Sequence, residues 1–504
     1  MPWLTLLIVL PLIGAVIAWF AGDRLARQVG LVAALATFGV SLAMALAYET
    51  SSTAFMQFTE QHEWIPSFGV SYSVGVDGIA LSLILMSTML VPVTMLAGWH
   101  EMEDSTASGK GYVVLTLVLE TMMIGVFAAT DVFLFYVFFE AILIPMYFLI
   151  GRYGGPKRSY ASIKFLLYSL FGGLLMLASL IGLWVSAKQQ LGAGTFDWAT
   201  LSTLKFDEGT ERWLFLGFFV AFAVKAPLVP VHTWLPDAAG EATPGSATLM
   251  VGVLDKIGTF GMLRYLLILF PAASLWFTPV VIVLSLVSII YGALLAIGQS
   301  DIKRLIAYTS ISHFGFITLG IFAFTSQGQS GAALYMVNHG FSTAALFLIS
   351  GYLISRRGSR FIEDFGGVNK IAPLMAGTFL LAGLSSLALP GMSSFVSEFL
   401  VLTGTFTRYP TEAIIATTGI IFAALYILLM YQRTMTGEPS EAVTGTVTEI
   451  NKRELIAIAP VLAVIIALGF VPQALLDVIN PTVDKTMQVV AVADPKPAIE
   501  GTNS

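Results

Sequence analysis

The chain of 504 residues contains no cysteine, and charged residues make up only 11% of it. Without thiolates it cannot form disulfides, iron–sulfur clusters or thiolate-bound metal sites. Its five histidines are widely separated, which argues against a haem or zinc centre. We therefore expect no cofactor and no metal in this chain. Soluble domains carry about 25% charged residues, so the low charge, together with 57% hydrophobic residues, indicates a polytopic membrane protein.

Apolar runs long enough to cross the roughly 30 Å hydrocarbon core of a bilayer recur along the chain, and we count about fourteen. They begin near Trp3, Leu31, Ile79, Tyr112, Val132, Ile163, Trp213, Ala247, Leu275, Ile302, Gly331, Ala372, Glu412 and Glu454. The first run lacks the basic region of a cleavable signal peptide, so we expect it to be retained. We predict an all-α polytopic membrane protein whose partner is the lipid bilayer, with no role for nucleic acid.

Basic residues are distributed unequally between the two sides of the predicted bundle. The loops after odd-numbered spans carry clusters, among them Lys157–Arg158, Lys303–Arg304 and Lys452–Arg453, whereas the other loops carry isolated residues such as Lys205 and Arg408. Cytoplasmic loops are enriched in Lys and Arg. We therefore expect both termini outside the cytoplasm. The connections 48–77 and 187–212 are predicted to be polar loops, and the tail after residue 481 to be disordered.

Two spans carry helix-breaking sequences. The seventh, LGFFVAFAVKAPLVPVHTWLPDA, places Lys225 before Pro227 and Pro230, and the twelfth contains Pro390 followed by Gly391. Because proline removes a backbone donor that lipid cannot replace, both helices are predicted to be discontinuous. The breaks lie five spans apart, which predicts two five-helix repeats, the second inverted, as in transporters that bind ions near the midplane.

The repeats divide the predicted chain into four parts. Residues 1–110 form an N-terminal three-helix segment, 111–270 the first repeat (helices 4–8), 271–435 the inverted second repeat (helices 9–13), and 436–504 the final helix and tail. This division depends on the spacing of the breaks and not on sequence identity between the repeats.

Ionisable residues inside the spans are few. The main candidates share one predicted depth: Glu140, Lys225, Lys256, His313, His339 and Glu398. Secondary candidates are His232, Asp237, Glu120, Asp255, Thr309 and Ser312. A charge at bilayer depth is costly and commonly marks a proton relay or an ion path. No metal-ligand spacing relates the main candidates, so the set favours proton transfer through side chains and internal water.

Each candidate also has a structural interpretation. Glu140 and Lys225 could form a buried ion pair without function, and a histidine within a span could simply be a hydrogen-bonded core residue. Serine and threonine in membrane helices often bond only their own backbone. In the functional interpretation, burial favours the neutral amine of Lys225 and a nearby carboxylate favours the ammonium. Lys225 would then hold its proton while Glu140 is close and release it when Glu140 moves away.

Several segments resemble the antiporter-like proton-translocating subunits of respiratory NADH-quinone oxidoreductase (complex I). The most specific are VKAPLVPVHTWLPDA and DIKRLIAYTSISH, and FLFYVFFEAILIPMYFLIG, NHGFSTAALF and LPGMSSFVSEF extend the resemblance over most of the chain. The resemblance implies fourteen helices, with the seventh and twelfth broken. It also implies that Glu140 pairs with Lys225, that Lys256 is the lysine of helix 8, and that His313 and His339 connect the two halves.

The resemblance implies a glutamate at the position of Glu398 in one type of these subunits and a lysine there in the others. It further implies a bacterial inner-membrane complex in which sister antiporter-like subunits are partners, and in which NADH, FMN, iron–sulfur clusters and quinone belong to other subunits. Departures from the family pattern include Ser397, where glycine is usual, and Asp255 beside Lys256.

Three alternatives to a complex I subunit remain at this point. The first is a subunit of a multisubunit Na⁺/H⁺ antiporter, against which Glu398 argues. The second is a subunit of a homologous complex linked to ferredoxin or to a hydrogenase, which the sequence separates poorly. The third is a purely structural spacer in a membrane arm, which the costly buried charges disfavour.

Overall fold

A computed structural model describes residues 1–99 and 108–495 of the chain. The spanning helices within these residues are, in chain order, α1 (Trp3–Phe20), α2 (Asp23–Leu46), α3 (Gly78–Ala97), α4 (Gly109–Ala128), α5 (Val132–Tyr153), α6 (Arg158–Leu191), α7a (Glu208–Lys225), α7b (Trp234–Glu241), α8 (244–269), α9 (Pro271–Ile297), α10 (Ile302–Phe322), α11 (Ser326–Arg357), α12a (Pro373–Ser386), α12b (Ser393–Phe406), α13 (Pro410–Met435) and α14 (Lys452–Phe470).

Eleven helices in the described part of the chain are long and apolar enough to cross a membrane. Of the predicted spans, the seventh, eighth and twelfth do not meet that criterion, because each is interrupted or irregular. The predicted class, a polytopic helical membrane protein, is confirmed. The division into residues 1–110, 111–270, 271–435 and 436–504 stays a prediction.

The connection between α2 and α3 is more ordered than the sequence suggested. It contains an antiparallel hairpin of β1 (Gln57–Ile65) and β2 (Val70–Val76), with Gly69 in the left-handed region at φ 67° between them. Glu60 in β1 accepts hydrogen bonds from the Leu4 amide (2.9 Å) and the Thr5 hydroxyl (2.5 Å). The predicted polar loop is therefore a hairpin fixed to the start of α1, and the fold is not entirely helical.

Acidic side chains mark where several helices begin. Asp77, Asp131, Asp207 and Asp301 accept hydrogen bonds from backbone amides in the first turns of α3, α5, α7a and α10 respectively. These amides have no partner within the helix, so a carboxylate acceptor satisfies them and adds a favourable interaction with the helix dipole. The caps define helix ends that are otherwise embedded in apolar sequence.

The break in the seventh span lies where the prolines predict it. Helix α7a ends at Lys225, and α7b begins nine residues later at Trp234. The Trp234 indole donates to the Val224 carbonyl (2.9 Å), and the Val229 amide donates to the Ser288 hydroxyl of α9 (3.0 Å). Side chains thus replace helical hydrogen bonds that the break removes, as non-helical backbone within a membrane requires.

The twelfth span is also broken as predicted. Helix α12a ends at Ser386 and α12b begins at Ser393, and Gly391 between them has φ 90°, a conformation that glycine adopts without strain. The Asn338 side chain of α11 donates to the Ser393 carbonyl (2.6 Å). In both breaks, therefore, a side chain of a neighbouring helix is hydrogen-bonded to the backbone at the interruption.

Helix α8 spans its length through irregular turns. Two π-helical segments, Met250–Leu254 and Met262–Leu266, flank the short α-helical segment Lys256–Gly261. Such segments shift the hydrogen-bond register and frequently occur at functional sites. Nothing in the periodicity of this apolar sequence predicts them.

A further helix, α15 (Gln473–Val490), follows α14. The predicted disorder after residue 481 is wrong, because Pro481 lies inside this helix. Within this helix, the Thr482 hydroxyl accepts a hydrogen bond from the Gly78 amide (3.0 Å). After the helix, the Asp494 carboxylate accepts one from the Ser326 amide (2.8 Å). Helix α15 and the residues after it thus connect the start of α3 with the start of α11, on the side of the hairpin. Residues 496–504 of the predicted tail lie outside the described residues.

The most enclosed helices are α10 and α11. All residues of the apolar segment of α11 are buried, and 94% of those of α10. In α1, α2, α6 and α13, fewer than half of the residues of the apolar segment are buried. The polar residues of α10 and α11 are therefore held in the centre of the bundle, shielded from lipid.

Candidate functional site: a buried polar axis

Lys256 and His339 form a direct contact at the centre of the bundle. The Lys256 Nζ lies 2.8 Å from His339 Nδ1, and it also donates to the Val251 carbonyl (2.6 Å) in the π-helical turn that precedes it. The lysine is completely buried, and its ammonium position lies 5.1 Å from the centre of the Phe314 ring. A buried amine with a carbonyl, an imidazole and an aromatic face around it can carry a proton without an ion pair.

His313 lies between His339 and Tyr335, and Tyr335 in turn contacts Glu398. The rings of His313 and His339 lie 5.2 Å apart, and His313 Nδ1 lies 2.6 Å from the Tyr335 hydroxyl. That hydroxyl donates to Glu398 Oε2 over 2.7 Å. All four side chains are buried. Residues from α8, α10, α11 and α12b, far apart in sequence, therefore form one polar series.

The single proton of the Tyr335 hydroxyl gives this series two complementary hydrogen-bond patterns. When the hydroxyl donates to the Glu398 carboxylate, His313 Nδ1 must carry the proton and donate to the hydroxyl. When Glu398 is protonated, it can donate to the hydroxyl, which then donates to His313. Moving one proton along the three side chains converts one pattern into the other.

Sequence reasoning missed Tyr335. Its position holds a usable signal, because Tyr335 precedes His339 by four residues on α11, which places both side chains on one face of the helix. An aromatic hydroxyl one turn from a buried histidine could have been added to the candidates on that ground.

Lys225 lies at the end of α7a in an aromatic setting. Its Nζ lies 5.0 Å from the centre of the Phe139 ring and 5.6 Å from that of Phe165, and it has no hydrogen-bond partner in the part of the chain that the structure describes. Glu140 follows Phe139 on α5, yet within the described residues no ion pair joins Glu140 to Lys225. The structure brings the two predicted partners into one region without direct contact.

Two adjacent glycines of α6, Gly172 and Gly173, lie between α7a, which carries Lys225, and Glu140 of α5. A methyl group at Gly173 would overlap Oε1 of Glu140, and a methyl group at Gly172 would lie 3.0 Å from the Ala221 Cα of α7a. The absence of side chains at these positions lets α5 and α7a both approach α6 closely. Glu140 itself is only half-buried, on the outer side of the bundle.

The secondary candidates have different surroundings. His232 lies in the α7 break with Nδ1 buried and unpartnered. Thr309 donates to the Ile306 carbonyl of its own helix (2.8 Å), which supports its structural interpretation, whereas Ser312 donates to the Ile289 carbonyl of α9 (2.8 Å). Glu120 on α4 is completely buried, and neither carboxylate oxygen has a hydrogen-bond partner.

Asp237 takes part in a charged network at the end of the bundle opposite the hairpin. Its carboxylate contacts Lys164 (2.7 Å) and Arg304 (2.5 Å), which fixes α7b to the starts of α6 and α10. Nearby, Arg360 contacts Asp301 (2.7 Å), and burial raises the pKa of Asp301. These ion pairs give Asp237 a structural interpretation beside the predicted relay role.

Arg264 and Asp77 form a second buried ion pair, on the side of the hairpin. Arg264 in the second π-helical segment of α8 contacts Asp77, the cap of α3, at 2.5 Å, and both side chains are at most 3% exposed. This contact fixes α8 to the start of α3. Within the described residues, no three His, Asp or Glu side chains are grouped so that they could hold a metal ion.

Comparison with protein families identifies the chain. Residues 129–423 match the family model described as NADH:quinone oxidoreductase/Mrp antiporter, which covers more than half of the sequence. The chain belongs to this family. Residues 29–126 match the amino-terminal model of NADH-ubiquinone oxidoreductase chain 4. The family that the sequence motifs suggested is therefore confirmed.

Relatives in this family align along nearly the whole chain. NADH-quinone oxidoreductase subunit M of Mycobacterium tuberculosis is 49% identical, over 99% of this chain and 96% of its own length. Subunit M of Rhodobacter capsulatus is 40% identical over 93% and 91%. NADH-ubiquinone oxidoreductase chain 4 of Arabidopsis thaliana is 38% identical over 96% of both chains.

Solved structures support the same family. A chain of respiratory complex I from Thermus thermophilus is 30% identical and superposes with a TM-score of 0.88, covering 97% of this chain and 99% of its own. A chain of the Mrp complex from Dietzia is 22% identical with a TM-score of 0.83, covering 98% and 100%. The second similarity concerns the fold alone.

Proposed function

We propose that this chain is a proton-translocating membrane-arm subunit of NADH:quinone oxidoreductase, which moves protons from the cytoplasm to the periplasm. The observation that carries the proposal is the buried series of Lys256, His339, His313, Tyr335 and Glu398. The contacts Lys256–His339, His313–Tyr335 and Tyr335–Glu398 are 2.6 to 2.8 Å long, and the two histidine rings lie 5.2 Å apart. Buried charges persist where function requires them, because each is expensive in an apolar interior.

The series is suited to protons and not to metal cations. Na⁺ needs several oxygen ligands free of competing positive charge, whereas this series contains one lysine and two histidines. An ammonium or an imidazolium repels a cation but can exchange a proton with its neighbour. Glu398 is a single carboxylate already bonded to Tyr335. The Na⁺/H⁺ antiporter alternative is therefore the weaker one.

Protons enter this scheme near Lys225 or Lys256 and leave at or beyond Glu398. Lys225 is the loading group, because nothing but aromatic rings and distant charges holds its ammonium. A carboxylate that approaches or leaves would change the proton affinity of such a lysine strongly. Glu140 is placed to be that carboxylate, since it adjoins Phe139 on the half-exposed face of α5.

Energy for transport comes, in this proposal, from NADH oxidation and quinone reduction in other subunits, where NADH, FMN, iron–sulfur clusters and quinone are bound. Sister antiporter-like subunits of the membrane arm are the protein partners. The Arg- and Lys-rich loops, including those of Arg304 and Arg360, face the cytoplasm of a bacterial inner membrane. Both termini then lie on the periplasmic side, together with the hairpin and α15.

The test uses inverted membrane vesicles that contain the assembled complex. Replacing Lys256 with alanine should abolish most NADH-driven acidification, measured with a fluorescent amine and normalised to NADH oxidation by an artificial acceptor that bypasses quinone. A variant that assembles normally and still acidifies vesicles at the parental rate would refute the proposal. Addition of a sodium ionophore should leave the acidification unchanged, and its collapse would favour the antiporter alternative.

A further inference from the structure

Asp255 is a carboxylate buried within α8. It is completely buried between the first π-helical segment of α8 and the α-helical turn that begins at Lys256, and neither of its oxygens has a hydrogen-bond partner among the described residues, 1–99 and 108–495. Buried polar groups are almost always hydrogen-bonded, because an unpaired one loses its hydration without compensation. A carboxylate in this state is either protonated or balanced by a neighbouring positive charge.

The side chains of Asp255 and Lys256 leave α8 in different directions. Asp255, Gly258 and Gly261 are spaced three residues apart and share one face of the helix. On that face Gly258 is so close to the end of α7a that a Cβ would lie 2.5 Å from the Ala226 amide nitrogen. Asp255 thus faces the α7 break, one turn from this contact.

Lys256 faces α11 and not α7, and its Nζ contacts His339 of α11. Consecutive residues of α8 therefore connect α7 with α11. The Asp255 carboxylate interacts electrostatically with the ammonium groups of both Lys225 and Lys256. Lys225 in turn is flanked by two carboxylates, Glu140 on the side of α5 and Asp255 on the side of α8.

We propose that Asp255 carries the proton between Lys225 and Lys256, which makes it a relay residue and not a structural one. In the first step, an N–H bond of the Lys225 ammonium breaks and an O–H bond forms on Asp255, leaving a neutral amine and a carboxylic acid. In the second step, that O–H bond breaks and the neutral Lys256 amine gains the proton. Each step conserves net charge, because the first neutralises an ammonium–carboxylate pair and the second forms a new one, and no co-reactant is required.

This inference rests on the proposed function and adds a specific path to it. With Asp255 as intermediate, Glu140 and Asp255 act on Lys225 from opposite sides. A change at Glu140 then decides whether the proton stays on Lys225 or passes to α8. The path continues through the contact between Lys256 and His339.

Three variants of Asp255 in the intact complex test the inference, with acidification of inverted vesicles by NADH as the readout. Asp255→Asn and Asp255→Leu should each slow proton transport about a hundredfold, the lower end of the range for loss of a positioned proton-transfer group. Asp255→Glu should retain most of the transport, because it keeps the carboxyl group. Assembly is checked on native gels and by NADH oxidation with the artificial acceptor.

The leucine variant guards against a folding artefact. Leucine brings no polar atom into this site, whereas asparagine leaves an amide buried where the described residues offer Asp255 no hydrogen-bond partner. If Asp255→Asn fails to assemble, Asp255→Leu decides the question. Parental transport in the leucine variant, or no better transport in Asp255→Glu than in Asp255→Leu, would overturn the inference.

The same vesicles separate this inference from the proposed function. If Lys256→Ala abolishes transport while Asp255→Leu leaves it unchanged, the proposed function is supported and the relay role of Asp255 is refuted. If Lys256→Ala itself transports protons at the parental rate, the proposed function fails, and the inference fails with it.

Discussion

Replacing Tyr335 with phenylalanine removes one oxygen atom from the centre of the polar series. That oxygen contacts His313 Nδ1 at 2.6 Å and Glu398 Oε2 at 2.7 Å. Two atoms bonded to the same oxygen lie roughly 4 to 5 Å apart, which is beyond the reach of a direct hydrogen bond. Phenylalanine therefore interrupts the path between His313 and Glu398 without changing the shape of the ring.

The expected effects differ in size for stability and for transport. Leaving two buried groups unsatisfied costs roughly 1 to 3 kcal/mol each, which a large, cooperatively folded membrane bundle can tolerate. Proton transfer loses a positioned carrier, which slows it by about two orders of magnitude. A water molecule could restore the path only if the space left by the hydroxyl reaches roughly 10 to 15 Å³ of probe-occupied volume.

The assay is acidification of inverted vesicles driven by NADH, normalised to the amount of assembled complex. The chain offers a matched control in Tyr426, which is also completely buried and whose hydroxyl has no hydrogen-bond partner. Tyr426→Phe removes the same atom from the same type of residue and should transport normally. Equal transport by both variants, whether both are fast or both slow, would refute the reasoning.

Three further variants probe features around the axis. Gly173→Ala should displace the carboxylate of Glu140 and reduce acidification several-fold, whereas Gly377→Ala, at a position with open space, should not. Asp237→Asn should weaken the ion pairs of α7b by about 1 to 2 kcal/mol and so lower the melting temperature of the purified complex. Its proton transport should stay above half of the parental rate. A loss of transport as large as that of Tyr335→Phe would instead make Asp237 part of the relay. Arg264→Met should cost about 3 to 5 kcal/mol by leaving a buried carboxylate unpaired, seen as reduced assembly on native gels, and normal assembly would contradict this.

The sequence predicted the helix breaks because prolines have a local, unconditional effect on the backbone. Helix α7a ends at Lys225, and Pro230 lies in the connection that follows it. Pro390 lies between α12a and α12b. The candidate residues of the axis were found for a similar reason, since a charge in an apolar run stands out. Their order along the axis was not predicted, because it depends on which helices are neighbours.

Other features depend on three-dimensional contacts that a linear pattern does not reveal. The π-helical turns of α8 place the Val251 carbonyl beside Lys256, and no periodicity distinguishes them from regular turns. Pro481 was interpreted as the end of structure, although it lies within α15. The hairpin was missed because a polar stretch between spans resembles a loop, even though Val70–Val76 contains the alternation typical of a strand.

Helix α15 and the residues after it bear on how the protein could move. Their bonds to the amides of Gly78 and Ser326, together with one from Arg408 to the Ala493 carbonyl (2.7 Å), join the starts of α3 and α11 and the end of α12b. This brace thus joins the predicted N-terminal segment to the predicted second repeat, and a transporter in which these two parts move against each other would have to break it in every cycle. The brace instead suits a rigid frame in which only protons, water and a few side chains change place.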